Sequence, residues 1–483
     1  MPVGGVLLDG SSNMDRDAIK QQLERVRDAA IQRKVDFAEV RCASVAHSAL
    51  VLQDGRADRL GAGKRAGMGV RVLSKGAWGF ASTESLGESD WLASLEDAIG
   101  MATVSATRLD EPVILPDIPG VVDDVRTSFE IDPTSVSLDR KLAAVRGYEE
   151  ASGRSARESV ANLMTGYNDA HQIEIACNTR GALVSSETVR TLVWHAITAQ
   201  NGTIRQRARE VRAGQAGFEI VEQTPAKELS VKAAERAVSL LSAPPAPAGK
   251  LPAVFHPSIA GLLVHEALGH NTEADAVLAG QSILDGRLGT KIAAECITVV
   301  DDSNIPGSWG SYQYDSEGTP GCRRVLVDKG TLKGFLHSLE TAGKMGVEPT
   351  GSARADGFAH RPIVRMSNTM ILPGQSSLED LIADIDLGIL LRAGQWGYVW
   401  CEKGQYTCHA GEGVMIRNGQ LAEQVRNVSV SGLVLETLAN ALDVSRDFEL
   451  KMPGNCGKDG QGMPVNGGGP YVKVREIVVG GQA

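Results

Sequence analysis

The stretch from residue 242 to residue 252 reads SAPPAPAGKLP and constrains the fold of this chain more than any other segment. Proline lacks a backbone donor and fixes φ, so a run of prolines suits neither a helix interior nor a central strand. The chain has 483 residues, which is too long for one ordinary hydrophobic core. We therefore predict an N-terminal domain over residues 1–240 and a C-terminal domain over residues 241–483.

Hydrophobic periodicity predicts a different content for each half. Apolar residues recur at helical spacing in four segments before the linker, at 14–33, 89–107, 138–155 and about 225–241. Alternating patterns predict two strands in 37–55, two in 67–83 and four between 159 and 200. After the linker, one helix-like segment is followed by short strands and glycine turns. The predicted fold class is α+β, with a mixed N-terminal domain and a β-dominated C-terminal domain that carries one motif helix.

That helix-like segment contains the sequence HEALGH, with His265, Glu266 and His270. Zinc binds neutral imidazoles, and a nearby carboxylate can deprotonate the water bound to the metal. Histidines five positions apart lie about 140° apart on a regular helix, so an unbroken α-helix would direct them to different places. Gly269 permits either a π-bulge with i→i+5 bonding or a helix end before His270. On spacing alone, an ordinary helix surface stays an open alternative.

A third candidate ligand is Cys456, in the glycine-rich sequence PGNCGKDGQG over residues 453–462. We expect a loop there, with little apolar cover for the thiol, whereas a structural cysteine is usually buried in a hydrophobic run. As a thiolate, Cys456 would complete a set of two histidines and one cysteine and leave a fourth position for water. A free exposed thiol is equally consistent with the loop sequence.

Several stretches together resemble the TldD/PmbA family of metallopeptidases. The resemblance is carried by GLLVHEALGHNTEAD, PGNCGKDGQGMPV, GTPGCRRVLVDKGTLKGFLHS (318–338), the element Arg365-Met366-Ser367-Asn368 and GEGVMIRNGQ (411–420). The family has a TldD type with the metal set and a PmbA (TldE) type without it. Because His265, Glu266, His270 and Cys456 are all present, the chain resembles the catalytic TldD type.

The resemblance implies zinc as the cofactor and two-domain subunits that dimerise around an internal chamber. The dimer would be homomeric or formed with a metal-free PmbA (TldE)-type relative. The domain of residues 1–240 would provide substrate access and dimer contacts, and the domain of residues 241–483 would be catalytic. The substrates would be short or unfolded peptides.

These observations predict a zinc-dependent peptidase in which metal-activated water attacks the amide and Glu266 acts as the general base. Strand edges in the C-terminal half would bind an extended peptide through its main chain. Two alternative functions stay open. The protein could be a non-catalytic regulatory or binding subunit, or it could be a metal hydrolase that tailors a peptide-like metabolite.

Composition excludes several other classes of protein. A net charge of −10 and a pI near 5.5 argue against nucleic-acid binding. The N-terminus lacks the pattern of a secretion signal, and the chain has no apolar run of about 18 residues, so we expect no membrane span. The seven scattered cysteines suggest a reducing cytoplasm and not a disulfide framework.

Other patterns are assigned to structure. We interpret Cys401, Cys408 and His409 as incidental residues of a strand and turn, because their spacing fits no common zinc motif. The glycine-rich run 61–67 is predicted to be a hairpin turn, since it lacks the Lys-Ser/Thr ending of a phosphate loop. Asp301 and Asp302 are predicted to end a strand in solvent. Lone histidines are assigned to packing or hydrogen bonding, and these are His256, His337 and His360.

Overall fold

The computed structural model describes residues 14–481, and the predicted α+β class is confirmed by 26% helix and 45% strand. The segment 1–13, most of the region interpreted as lacking a secretion signal, lies outside the described residues. The α-helices are α1 (Arg16–Gln32), α2 (Glu88–Ala106), α3 (Leu138–Ala156), α4 (Glu219–Glu222), α5 (Lys232–Ser242), α6 (Pro257–Leu263), α7 (Ala274–Leu278), α8 (Leu339–Met345), α9 (Leu378–Ile382) and α10 (Val434–Ala439).

The first sheet is built from long antiparallel strands before the linker. Its order is β3-β2-β1-β5-β6-β4, with β7 paired to β6 and β4 parallel to β6. The strands are β1 (Phe37–Gln53), β2 (Arg56–Ser74), β3 (Ala77–Thr83), β4 (Val122–Arg126), β5 (Val160–Asn178), β6 (Leu183–Asn201) and β7 (Ile204–Gly214). Helices α1 and α2 bury their apolar faces in one core with β1 and β2.

Several predicted strand breaks are wrong, because polar and glycine residues stay in register within continuous ladders. The run 61–67 lies inside β2 and pairs with residues 43–49 of β1, so it is no hairpin turn. The turn is instead at Asp54-Gly55, where both residues have positive φ. The four strands predicted between 159 and 200 are two long strands, β5 and β6. Strand β7 was missed, and the helix predicted at 225–241 begins with a π-helical turn at Lys227–Val231.

The second sheet has eleven strands in residues 14–481, in the order β11-β10-β9-β14-β20-β18-β16-β15-β8, with β17 paired to β16 and β19 to β20. Its strands are β8 (Gly249–Phe255), β9 (Val299–Asp302), β10 (Arg323–Asp328), β11 (Thr331–Leu332), β14 (Asn368–Ile371), β15 (Leu387–Trp400), β16 (Gln405–Arg417), β17 (Gln420–Val425), β18 (Val428–Leu433), β19 (Ala441–Lys458) and β20 (Gln461–Gly481). A separate pair is formed by β12 (Ala353–Arg354) and β13 (Ile363–Val364). The C-terminal half also contains the short helices α7 to α10. It therefore has more helix than the single motif helix that the sequence predicted.

Part of the second sheet closes on itself. Strand β8 pairs in parallel with β15 and antiparallel with β20, which completes a ring through β16 and β18. Helix α6 follows β8 after His256, whose side chain accepts from the Ser258 amide and caps the helix. The ring therefore fixes where α6 starts and in which direction the following motif segment runs.

Helix α6 approaches β20 backbone to backbone. A Cβ placed on Gly261 would lie 2.6 Å from the Gly468 nitrogen and 2.8 Å from the Gly467 carbonyl carbon. Backbone atoms of a paired strand cannot move aside as a flexible side chain can. Glycine at this position is therefore required by space, and the contact sets the distance between α6 and the sheet.

We predict that Gly261→Ala lowers the free energy of unfolding by about 1–3 kcal/mol, the usual cost of overpacking. Gly100→Ala is the matched control, because Gly100 lies in α2 with open space around its Cα. This control should instead stabilise the chain by about 0.5–1 kcal/mol through helix propensity. Urea unfolding monitored by circular dichroism measures both, and equal effects would refute the close contact.

Candidate metal centre

The motif segment leaves α-helical geometry where the histidines lie. Residues Val264–Gly269 form a π-helix directly after α6, and the backbone N–H of His270 donates to the carbonyl oxygen of His265. This i→i+5 bond brings positions five apart onto one face. The two imidazole ring centroids are 5.1 Å apart. Of the two backbone arrangements expected from the spacing, a π-bulge and a helix end before His270, the structure has the π-helical one.

The reason for glycine at position 269 differs from the one inferred from sequence. Its φ of −53° and ψ of −54° are ordinary helical values that any L-residue adopts. A Cβ there would instead lie 2.0 Å from the Sδ atom of Met366, a side chain that is 1% exposed. Glycine is therefore needed because Met366 packs against the π-helix, and not because the backbone is strained.

Cys456 lies in strand β19 and not in a loop, so the sequence prediction of a loop with little apolar cover is wrong. It pairs with Met463 across the β19–β20 hairpin and is 6% exposed within the main core of the C-terminal half. Its Sγ atom is 3.4 Å from Nε2 of His270. One ligand atom from each of His265, His270 and Cys456 lies within 4.8 Å of the others.

This donor set fits a zinc ion. Tetrahedral zinc holds nitrogen at about 2.0–2.1 Å and sulfur at about 2.3 Å, which separates neighbouring donor atoms by roughly 3.3–3.8 Å. The sulfur–nitrogen distance of 3.4 Å already falls in that range. Two imidazoles and one thiolate also match the three-ligand pattern that leaves a coordination position open.

The electrostatics of the cluster favour the thiolate form of Cys456. Burial alone would raise the pKa of the thiol, but hydrogen bonds with His265 and His270 bring that pKa down to about 5. Burial would lower the pKa of His270, yet the carboxylate of Glu273 holds it well above the usual value. The metal-free site therefore stores protons that a divalent cation would displace.

Two residues that support the candidate ligands were missed by sequence reasoning. The carboxylate of Glu273, 1% exposed, lies 3.1 Å from Nδ1 of His270, so Nδ1 carries the proton and Nε2 faces Cys456. Burial would raise the pKa of Glu273, but His270 and Lys458 lower it to about 2. Lys458 donates to Glu273 at 3.2 Å and to Asp275 at 2.7 Å. Glu273 follows His270 by three residues and Lys458 follows Cys456 by two, which was the available signal.

Glu266 lies beside the cluster with its side chain half-buried. Burial raises the pKa of its carboxyl group, an effect that the two histidines partly oppose. Space for this side chain depends on Gly397 of β15, because a Cβ there would lie 3.2 Å from Cγ of Glu266. A carboxylate with a raised pKa next to three candidate ligands is suited to accept a proton from water.

The remaining singled-out residues have structural partners. In residues 14–481, His265, His270 and Cys456 form the one cluster of three or more candidate ligands, so Cys401, Cys408 and His409 form no second site. His409 stacks on Trp396 at 4.2 Å.

Asp301 is buried, and the prediction of a solvated strand end is wrong for it. Its carboxylate accepts from the Ser367 amide and from the hydroxyls of Ser367 and Thr369.

Burial lowers the pKa of His256 and of His337 to about 4 in each case. The Nδ1 atom of His360 lies 2.8 Å from the carbonyl oxygen of Asp356.

Comparison with known proteins gives the class and then the family. Domain profiles described as PmbA/TldA metallopeptidase domain 1, central domain and C-terminal domain match residues 38–103, 131–241 and 248–481. A metalloprotease of Methanothermobacter thermautotrophicus is 37% identical over 93% of this chain and 97% of its own. A zinc metalloprotease TldD homolog of Saccharolobus solfataricus is 27% identical over 92% of this chain and 96% of its own. By class, the protein is a metallopeptidase.

The chain belongs to the PmbA/TldD family of metallopeptidases. Its fold matches the solved structure of TldE from Thermococcus kodakarensis with a TM-score of 0.75, at 20% identity, over 95% of this chain and all of that one. Two of the three profiles, domain 1 and the central domain, match residues before the linker. Among residues 14–481, no helix is both long and apolar enough to cross a membrane.

Metal affinity should depend on the close packing of Met366 against Gly269. Gly269→Ala should place a methyl group against Met366 and widen the π-helix, so metal affinity should fall by about tenfold or more. The double variant Gly269→Ala/Met366→Ala removes the clash and should recover most of that loss. Competition with a chromophoric chelator measures affinity, and a double variant as weak as the single one would contradict this packing.

The thiol of Cys456 generates a second prediction. In metal-free protein its thiolate should form with a midpoint near pH 5, whereas Cys408, whose pKa burial raises to about 12, should stay protonated. The thiolate is the form present above the midpoint, and protonation should remove it as pH falls below about 5. The ultraviolet thiolate absorbance of the unmodified chain minus that of Cys456→Ser isolates this group. A midpoint near the ordinary value of about 8.5 would show that the histidines do not stabilise the anion.

Proposed function

We propose that this protein is the catalytic, TldD-type subunit of a zinc peptidase that hydrolyses short or unfolded peptides. The single observation that supports this most is the convergence of His265, His270 and Cys456 within 4.8 Å, with Glu266 beside them. A purely regulatory subunit would have no need for three clustered donor side chains with a supporting carboxylate. A relative named as a zinc metalloprotease supports the choice of metal.

In this proposal, His265, His270 and Cys456 hold the ion, and Glu266 is the catalytic base. A bound zinc ion supplies a Lewis acid that polarises a carbonyl group and lowers the pKa of water. Glu266 takes the proton from the attacking water and later delivers it to the leaving amine. Glu273 holds the His270 ring in the tautomer that presents Nε2, and Lys458 keeps Glu273 ionised.

The end of β15, residues 396–400, forms an aromatic arm that favours an extended polypeptide as the substrate. Trp396, Tyr398 and Trp400 alternate along it and are 51%, 55% and 51% exposed. Between them lies Gly397, which contacts Glu266. Exposed aromatic side chains next to a catalytic site suit apolar side chains that folded proteins bury and unfolded chains expose. The preference for unfolded peptides rests on this arm.

The assembly and location are proposed from the family resemblance. We propose that residues 1–240 control substrate access and contribute dimer contacts, while residues 241–483 form the catalytic domain. The dimer would be homomeric or formed with a metal-free TldE-type relative, and TldE of Thermococcus kodakarensis shares this fold. The cysteines are all free, which is compatible with the cytoplasmic location that we propose.

Removal of the base should separate binding from chemistry. Glu266→Gln keeps the size of the side chain, so zinc content should stay unchanged while hydrolysis of an unstructured peptide falls by about 10²-fold or more. Glu423→Gln is the control, because that carboxylate lies on the surface in an ion pair with Arg417. Elemental analysis and a peptide-cleavage assay measure the two quantities. Full activity in Glu266→Gln would remove Glu266 from the mechanism.

The form of the substrate gives a further prediction. One small protein, offered either folded or irreversibly unfolded by reduction and alkylation, should be cleaved only in the unfolded form. The reason is that the exposed aromatic side chains of the arm offer contacts for apolar side chains, which a folded protein buries. Equal rates on both forms, measured by mass spectrometry of the products, would show that the site does not select for unfolded chains.

A further inference from the structure

Two buried arginines line a cleft between the two sheets. Arg190 of β6 is 9% exposed and Arg354 of β12 is 6% exposed. Both border a cavity of about 510 Å³, and Arg190 also borders an adjoining cavity of about 500 Å³. Met463 and Pro464 of β20 border both cavities. Both arginines therefore line the space between the two halves of the chain.

Neither guanidinium has a carboxylate partner within ion-pair distance in residues 14–481. Arg190 donates from Nε to the carbonyl oxygen of Trp309 at 3.0 Å and from Nη2 to that of Ser311 at 2.8 Å. Arg354 uses Nη1 alone, for the carbonyl oxygens of Met366 at 2.9 Å and Pro464 at 2.8 Å. Donor hydrogens on Nη1 of Arg190 and on Nε and Nη2 of Arg354 therefore remain for a ligand.

The acidic groups near the cavity are already engaged. Glu187 pairs with Arg16 and His171, and Glu174 lies 3.7 Å from Arg41. Asp315 accepts from the amides of Glu317, Thr319 and Ala353. Asp301 acts on Arg354 only at longer range and is held by Ser367 and Thr369. The ring of Tyr312 lies under the Arg354 guanidinium at 4.8 Å, a cation–π contact that leaves the Nε and Nη2 donors free of any carboxylate partner.

Burial of two like charges close together is costly unless an anion binds between them. Burial and the neighbouring Arg354 together lower the pKa of Arg190 to about 9, which reflects the same cost. Arginine offers paired N–H donors that match the two oxygens of a carboxylate. A cavity of this size also admits more than a lone ion, since small-ligand pockets begin at about 300 Å³.

The cleft adjoins the candidate metal centre. Pro464, which accepts from Arg354, follows Met463, and Met463 pairs directly with Cys456 across the hairpin. We propose that Arg190 and Arg354 bind a carboxylate of the peptide substrate, namely its C-terminal carboxylate, in the cleft between the two sheets. This inference rests on the proposed peptidase function and adds a specificity to it, which is selection for peptides with a free C-terminus.

Binding to the zinc-loaded Glu266→Gln full-length chain tests this without turnover. The probe is an N-acetylated, unstructured peptide without acidic side chains, offered as the free acid and as the C-terminal amide. The free acid should bind about tenfold more tightly or better, as expected for hydrogen bonds to a charged group. Adding Arg190→Gln or Arg354→Gln should abolish the preference, whereas Arg207→Gln, an exposed arginine of β7, should preserve it.

Equal affinity for acid and amide would overturn the proposal, as would a preference that survives both glutamine variants. If a glutamine variant fails to fold, Arg190→Lys and Arg354→Lys keep the charge without the planar donor pair and should weaken the preference by several-fold. Inorganic phosphate should bind more weakly than the free acid, and tighter phosphate binding would overturn the assignment to a peptide. Absence of peptide hydrolysis by the unmodified, zinc-loaded chain would contradict the proposed function and would leave this binding result unaffected.

Discussion

The hydrogen bond from the His270 amide to the His265 carbonyl is the interaction on which the site depends. With i→i+4 bonding, the two imidazoles would point about 140° apart and could not face one cysteine. A π-helical turn is less favourable than an α-helical one, so the surroundings must hold it. Glycine at 261 lets α6 contact β20, and glycine at 269 lets Met366 pack over the turn. The geometry of the site thus depends on two close approaches that a single methyl group would prevent.

The same turn is tied to a hairpin far along the chain. Arg365 is fully buried and donates to the carbonyl oxygens of Cys456 and Gln461, which hold the two strands of the hairpin. Lys458 crosses from that hairpin to Glu273, and Glu273 contacts His270. Backbone position, ring tautomer and thiolate charge are therefore set by one connected network. Loss of any member should disturb the others, because each buried charge in it has few partners.

The sequence predicted the parts of this structure that depend on local pattern. Helices α1, α2 and α3 agree with prediction to within one or two residues, since their apolar spacing is regular. Spacing also required a departure from α-helix between His265 and His270. Long strands such as β5 and β6 were divided in error, because pairing on both sides keeps Asn168 and Asp169 extended despite their turn propensity. The burial of Cys456 was missed because its cover comes from distant strands, which glycine-rich sequence does not reveal.

The charged neighbours of the site could be located only by the fold. Glu273 and Lys458 lie 185 residues apart, and no periodicity links them. Arg190 and Arg354 come from different sheets, so their shared cleft has no local sequence signal.

Zinc K-edge X-ray absorption of the purified chain tests the central claim most directly. We expect one sulfur at about 2.3 Å and two imidazole nitrogens at about 2.0–2.1 Å around the ion. A first shell without sulfur, or with a single imidazole, would contradict it.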